Sequence, residues 1–172
     1  MIKQIAAAAT LAAFGLSGCA SMMSMGAPDI SRLDIPNAPV KIAAAVTVPP
    51  GYTTYYISGA GPTVADPTAP AGSVKRYGDT ETQTASTLGQ LKATMAKMGL
   101  TFGDIVQAHV FLVGDPDNGG KMDFMGMNKA WSKEFGTPEQ PNKPARAAFQ
   151  ISGLAFPGGL VEIEFIAAKK AK

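Results

Sequence analysis

The chain has 172 residues, 46% hydrophobic and 16% charged, with 15 Lys and Arg against 13 Asp and Glu for a net charge of +2. That is enough apolar matter for one domain with a core, and it excludes an intrinsically disordered chain. It lacks the clustered basic face that nucleic acid demands, and a single cysteine, Cys19, rules out a disulfide framework within one molecule.

Met1-Ile2-Lys3-Gln4 is a short positive start, and residues 5–16 after it are almost wholly apolar. The run is too short to span a bilayer but suits the hydrophobic region of a secretory signal. It ends in Leu16-Ser17-Gly18-Cys19, which reads as a bacterial lipobox, so residues 1–18 are expected to be removed and Cys19 lipidated. Ala20 rather than Asp follows Cys19. The expected location is therefore the cell envelope, in the periplasm, anchored to the outer membrane by lipid alone. Residues 19–38 are small, Met-rich and aperiodic and read as a tether, with the domain proper at 39–172. Met22, Met23 and Met25 are thioethers without His or Cys beside them, a weak basis for a metal site.

Residues 42–48 read as a strand, Pro49-Pro50-Gly51 as a tight connection, and 52–58 as its return, an opening hairpin. An irregular loop covers 66–75. Asp79-Thr80-Glu81-Thr82-Gln83 starts a helix, with Thr80 and Gln83 fitting a capping box. Leu88, Leu91, Met95 and Met98 form its apolar stripe, and Gly99 its stop. In the strand at 105–113, Val106, Ala108, Val110 and Leu112 share one face, and Gln107, His109 and Phe111 the other. His109 is the only histidine. It is a candidate base, weighed against a hydrogen-bonded histidine at a subunit contact, and without neighbouring carboxylates it builds no metal site. Gly114 to Lys121 misses the spacing of both a P-loop and a calcium loop and reads as a turn. A second helix follows over 122–135, with Phe124, Met127, Trp131 and Phe135 as its buried stripe, and 137–144 is a polar loop.

The last segment reads as two strands, 145–151 and 160–167, joined across Pro157-Gly158-Gly159. Val161, Ile163 and Phe165 alternate with Glu162 and Glu164, so one face is apolar and both carboxylates lie on the other. Arg146 in the first strand and a carboxylate in the second form a pair able to hold a substrate carboxylate and position a water. The alternative is a surface ion pair. The element order is strand, strand, helix, strand, helix, strand, strand. One sheet face is then covered by two helices, and the other, expected to be apolar, is left needing a partner.

Pro144-Ala145-Arg146 and Val161-Glu162-Ile163-Glu164-Phe165-Ile166-Ala167 resemble the C-terminal signature of the RidA (YjgF) family of enamine/imine deaminases. Tyr56-Ile57-Ser58-Gly59, the run from Gly78 to Thr84, Met98-Gly99-Leu100-Thr101, Gly103-Asp104-Ile105-Val106 and Met127-Asn128-Lys129-Ala130-Trp131 match in the same order. The resemblance implies an α+β fold like that of the AroH-type chorismate mutases, a homotrimer, and ligand clefts between subunits. It implies hydrolysis of reactive enamines and imines such as 2-aminoacrylate to 2-oxo acids and ammonia, without cofactor or metal. By the same resemblance Arg146 grips the substrate carboxylate and Glu162 positions or activates water. Ser58 and Gly59 line the cleft wall, and Asn128 helps shape it. Two departures stand out. The family's first-strand tyrosine segment falls at Lys41-Ile42-Ala43-Ala44-Ala45, leaving open whether Tyr52, Tyr55 or Tyr56 replaces its hydroxyl, and Ala148 stands where the family often has cysteine. They keep a second reading in view, a non-catalytic trimeric small-ligand-binding or chaperone-like module on the same scaffold.

Overall fold

The computed structural model describes residues 28–171; the leader, Cys19 and the first part of the tether lie outside the described residues. Six strands form one mixed sheet: β1 (Ser31–Asp34), β2 (Ala43–Thr47), β3 (Tyr52–Ala60), β4 (Ile105–Val113), β5 (Ala145–Ile151) and β6 (Val161–Lys170). Their order is β1-β2-β5-β4-β6-β3. The helices are α1 (Val74–Tyr77, a single turn), α2 (Thr80–Lys97) and α3 (Phe124–Trp131). This is the expected α+β arrangement, with α2 and α3 packed on one sheet face over Ala108, Val110, Leu112, Ile163 and Phe165.

Leu88, Leu91 and Met95 of α2 are buried as their spacing predicts, but Met98 is exposed. Regular helix ends at Lys97, and Gly99, at φ 69, turns the chain away one residue beyond Met98. The cap is Asp79, not the expected Thr80: its carboxylate accepts from the Thr82 N–H at 2.8 Å. Gln83 is thereby free for another task. Its Nε2 donates to the carbonyls of Gly78 (2.9 Å) and Gly158 (3.1 Å), and its Oε1 accepts from the Leu160 N–H at 2.7 Å. A fully buried side chain thus ties the helix start to the loop entering β6. Gln83→Leu is expected to lower unfolding stability by about 2–4 kcal/mol, because the Leu160 N–H loses its acceptor inside the core. Urea denaturation reads it directly, and a loss below about 0.5 kcal/mol would show that the tie is dispensable.

Helix α3 is shorter than the expected 122–135. Asp123 caps it through the Gly126 N–H at 2.8 Å, and a looser turn, with Phe135 N–H on the Trp131 carbonyl at 3.1 Å, carries the chain to Phe135. Trp131 stacks on Phe135 with centroids 4.1 Å apart, and Phe102 and Phe165 complete the cluster. Such pairs add about 0.5–1.5 kcal/mol each beyond their buried area, which fixes α3 on the sheet.

Two expected strand pairings are corrected. The segments 145–151 and 160–167 are not neighbours, because β4 lies between them, parallel to β5 and antiparallel to β6. A parallel pair needs a long crossover, and α3 supplies it. The opening hairpin is also replaced. β2 pairs antiparallel with β1 and touches β5 only through Ala43 opposite Ala145, while β3 pairs with β6. The strand β1 lies within the stretch read as tether, and it gives β2 a partner the sequence pattern did not provide. The β1–β2 ribbon lies across the end of the sheet. There Arg32 donates to the carbonyls of Lys143, Gly103 and Ile105, and Tyr52 donates to Asp29 at 3.1 Å. Burial lowers the pKa of Arg32, with Asp104 opposing the shift.

Candidate functional site

The pleat of β6 sends Val161, Ile163 and Phe165 under the helices and leaves Glu162 and Glu164 on the open face. Ala108, Val110 and Leu112 of β4 are likewise covered; a register shift near Ile105 puts Ile105, rather than Val106, in the same core cluster. On the open face Gln107, His109 and Phe111 stand opposite Ile166, Glu164 and Glu162. This face is therefore mixed rather than apolar as expected. Its apolar part is chiefly an edge-on pair, Phe111 with Phe149, with centroids 5.1 Å apart.

Strand β3 contributes through a bulge. Ile57 pairs with Phe165 and Ala60 with Ile163, so two residues, Ser58 and Gly59, face the single Glu164. A Cβ on Gly59 would collide with the Glu162 carboxylate, so only glycine lets that carboxylate rest against the bulge. Ser58, Gly59 and Glu162 are thus brought together. Tyr56, Ser58, Glu164 and Ile166 rim a hollow of about 250 Å³ beside them. Of the three tyrosines left open, Tyr52 is engaged at the sheet end and Tyr55 packs against the core. Tyr56, 81% exposed, stands opposite Ile166 on the open face beside the hollow.

His109 lies in the same row. Its Nδ1 is 2.7 Å from Glu164 Oε1 and its Nε2 2.9 Å from Gln107 Nε2. An amide nitrogen only donates, so Nε2 accepts and Nδ1–H donates to Glu164. Among the described residues no group of three or more His, Cys, Asp and Glu side chains is placed to hold a metal ion.

Arg146 pairs in register with Ala108, so it points to the helix face. Its Nη2 donates to Asn128 Oδ1 at 2.8 Å and its Nη1 to Met127 Sδ at 3.4 Å. The guanidinium carbon stands 4.6 Å from the Trp131 ring centre and 5.8 Å from that of Phe124. Asn128 Nδ2 donates to the Phe124 carbonyl at 2.9 Å, which fixes its oxygen towards the arginine. Burial pulls the Arg146 pKa down to about 10. No ion pair to a carboxylate is present at Arg146 among the described residues. A desolvated cation with a neutral amide and aromatic faces around it retains its attraction for an anion. The sequence-level pairing of Arg146 with Glu162 does not occur in one chain. Arg146 and Asn128 sit on the helix side of the sheet, and Ser58, Gly59 and Glu162 on the open side.

A family model described as endoribonuclease L-PSP matches residues 36–169. The chain belongs to that family, also called RidA, YjgF or RutC. Within the RidA family, a RutC family protein of Haemophilus influenzae is 37% identical over 92 residues, 54% of this chain. The match spans 65% of that relative, just under two thirds of its length. The crystal structure of Escherichia coli TdcF with bound serine superposes with a TM-score of 0.52 at 27% identity, covering 67% of this chain and 80% of TdcF. A YjgF family member from Neisseria meningitidis, NMB1025, has the same fold, with a TM-score of 0.50 at 24% identity, covering 84% of this chain and 98% of that one.

Proposed function

We propose that this RidA-family chain hydrolyses small enamine and imine acids of the 2-aminoacrylate type to 2-oxo acids and ammonia, as a homotrimer whose clefts lie between subunits. The observation that carries the reading is Arg146, a half-buried guanidinium with no carboxylate partner among the described residues, held by Asn128 and ready for a ligand's carboxylate. Serine bound to TdcF is itself a small amino acid, which supports a ligand of that class. The two half-sites on opposite faces call for two chains, with Arg146 from one and Glu162, Ser58 and Gly59 from its neighbour.

The chemistry is redox-neutral. The enamine takes a proton at its methylene carbon and becomes the iminium. Glu162 removes a proton from water as the oxygen adds to the C=N carbon and the electron pair moves to nitrogen. That proton passes from Glu162 to nitrogen, the C–N bond breaks with its electron pair leaving on ammonia, and the hydroxyl releases its proton as the carbonyl forms, replacing the one taken up at the methylene carbon. Arg146 orients the carboxylate through both arms of its fork, and orientation of this kind supplies several kcal/mol of barrier reduction.

Accelerated decay of 2-aminoacrylate, generated in situ with purified protein, tests the reading; no acceleration at any protein concentration would sink it. The loss of the family's first-strand tyrosine favours the second reading, a trimeric small-ligand-binding module, and binding of 2-oxo acids without turnover would select it. Gly59→Ala is expected to lower kcat about 10–100-fold with little change in melting temperature, since the new methyl displaces a flexible glutamate side chain rather than backbone. Paired kinetics and thermal melts check it. The lipobox-like Leu16-Ser17-Gly18-Cys19 supports placing the enzyme in the envelope, tethered through a lipid on Cys19. Mass spectrometry of the membrane-extracted chain would reveal the acylated cysteine, and an unmodified Cys19 would remove the anchor.

A further inference from the structure

We infer that the β1–β2 ribbon is a positioning element for Arg146, acting through Trp131, so that affinity for a carboxylate depends on Arg32 at the far end of the ribbon. This rests on the reading of Arg146 as the carboxylate clamp. A cation held over an indole face is only as well placed as the ring beneath it. The ring of Trp131 is stacked on Phe135, and its edge is fixed by Nε1 donating to the Lys41 carbonyl at 2.8 Å. Lys41 belongs to the segment that leads into β2. Two residues on, the Ala43 N–H donates to the Pro144 carbonyl at 2.9 Å, two positions from Arg146 itself. Pro39 of the same segment lines, with Asn128, a cavity of about 490 Å³. Residues 39–43 therefore reach Trp131, the strand that carries Arg146, and the cavity beside Asn128.

The ribbon does little for the core. Ala43 is buried, but Ala44, Ala45 and Thr47 are exposed, and the pairing of β2 with β5 is a single residue pair. Its anchorage is polar and lies elsewhere: Arg32 Nε donates to the Lys143 carbonyl at 3.1 Å, and Nη2 to those of Gly103 (3.1 Å) and Ile105 (2.9 Å). The Lys143 ammonium adds an ion pair to Asp34 at 2.8 Å. If these latches open, the indole N–H of a fully buried ring loses its acceptor. It must turn to find another, and the guanidinium over its face moves with it. Arg32 is a positioning residue on this account, since it touches neither Arg146 nor the partners of Arg146.

Trp131 is the only tryptophan, so its indole N–H gives one isolated NMR signal. The full-length chain is titrated with 2-oxobutanoate, following that signal, as wild type, Arg32→Ala and Arg32→Lys, with Trp131→Phe followed by calorimetry. Arg32→Ala is expected to speed exchange of the indole proton with water and to raise Kd about tenfold, with partial recovery in Arg32→Lys. Trp131→Phe, which keeps a ring but has no N–H, is expected to raise Kd by a similar factor. An unchanged Kd in Arg32→Ala and Trp131→Phe overturns the inference, whether or not indole exchange quickens. No binding by the wild type overturns instead the clamp reading beneath it, and the exchange rates then still report the ribbon separately.

Discussion

Arg146→Ala is expected to lower kcat/KM for 2-aminoacrylate about a thousandfold while leaving the melting temperature unchanged or higher. On the proposed mechanism, removing a half-buried, charge-assisted clamp on a substrate carboxylate forfeits roughly 3–4 kcal/mol of transition-state binding. The stability half of the expectation follows from burial. Burial pulls the pKa of the guanidinium down to about 10 in the folded chain, because desolvation disfavours its charge. Folded and unfolded chains both carry the charge below about pH 10, so the whole destabilising effect is present at neutral pH and is relieved only as pH rises through that value. Arg146→Met, which fills the space over Trp131 without a charge, is expected to melt about 2–5 °C higher at pH 7, the lost bond to Asn128 setting the upper limit. Arg146→Lys keeps the charge but not the planar fork and is expected to recover only part of the activity. Unchanged deamination by Arg146→Ala would remove the clamp from the mechanism, whatever the melting temperature does.

The legible parts of this fold are those where local pattern and tertiary environment agree. The alternation in Val161 to Phe165 predicts its buried and open faces, and the stripe Leu88, Leu91, Met95 predicts the packed side of α2. The end points 105–113 and 145–151 are read without error, since a β-branched or apolar run bounded by Gly and Pro has few other solutions. Strand order is different in kind. Nothing in Ala43 to Thr47 says whether its partner is β3, across a Pro-Pro-Gly turn, or β1 and β5; the decision falls to Arg32 and three carbonyls distant in sequence. Gln83 misled for the same reason. Its position three residues after Thr80 fits a capping box, yet Asp79 takes the cap and frees Gln83 for the loop at Gly158 and Leu160. The candidate residues Arg146, Asn128, Ser58, Gly59 and Glu162 come from motif alone, and their division between two faces depends on β4 standing between β5 and β6. A face assignment inherits every error in strand order.

Mixing two inactive variants is expected to restore activity on the proposed mechanism, because Arg146 and Glu162 lie on opposite faces of one chain's sheet. Arg146→Ala retains Glu162, and Glu162→Gln retains Arg146. Each alone forms clefts that lack one member. Unfolded and refolded together in equal amounts, the chains assort at random, and a cleft works when an intact arginine meets an intact glutamate across the boundary. The chance is one half times one half, so about a quarter of wild-type activity is expected in any closed ring with one cleft per boundary. Simple mixing without subunit exchange should restore almost nothing, which separates assembly from a diffusible intermediate. A cleft built within one chain predicts the opposite result, no recovery at any ratio, since every chain then carries its own defect. The geometry opposes that alternative: Arg146 is in register with Ala108 beneath the helices, and Glu162 is in register with Phe111 on the open face. A side chain cannot pass through the sheet, so on the proposed mechanism a second copy supplies the missing half, and the recovered fraction measures how often it does.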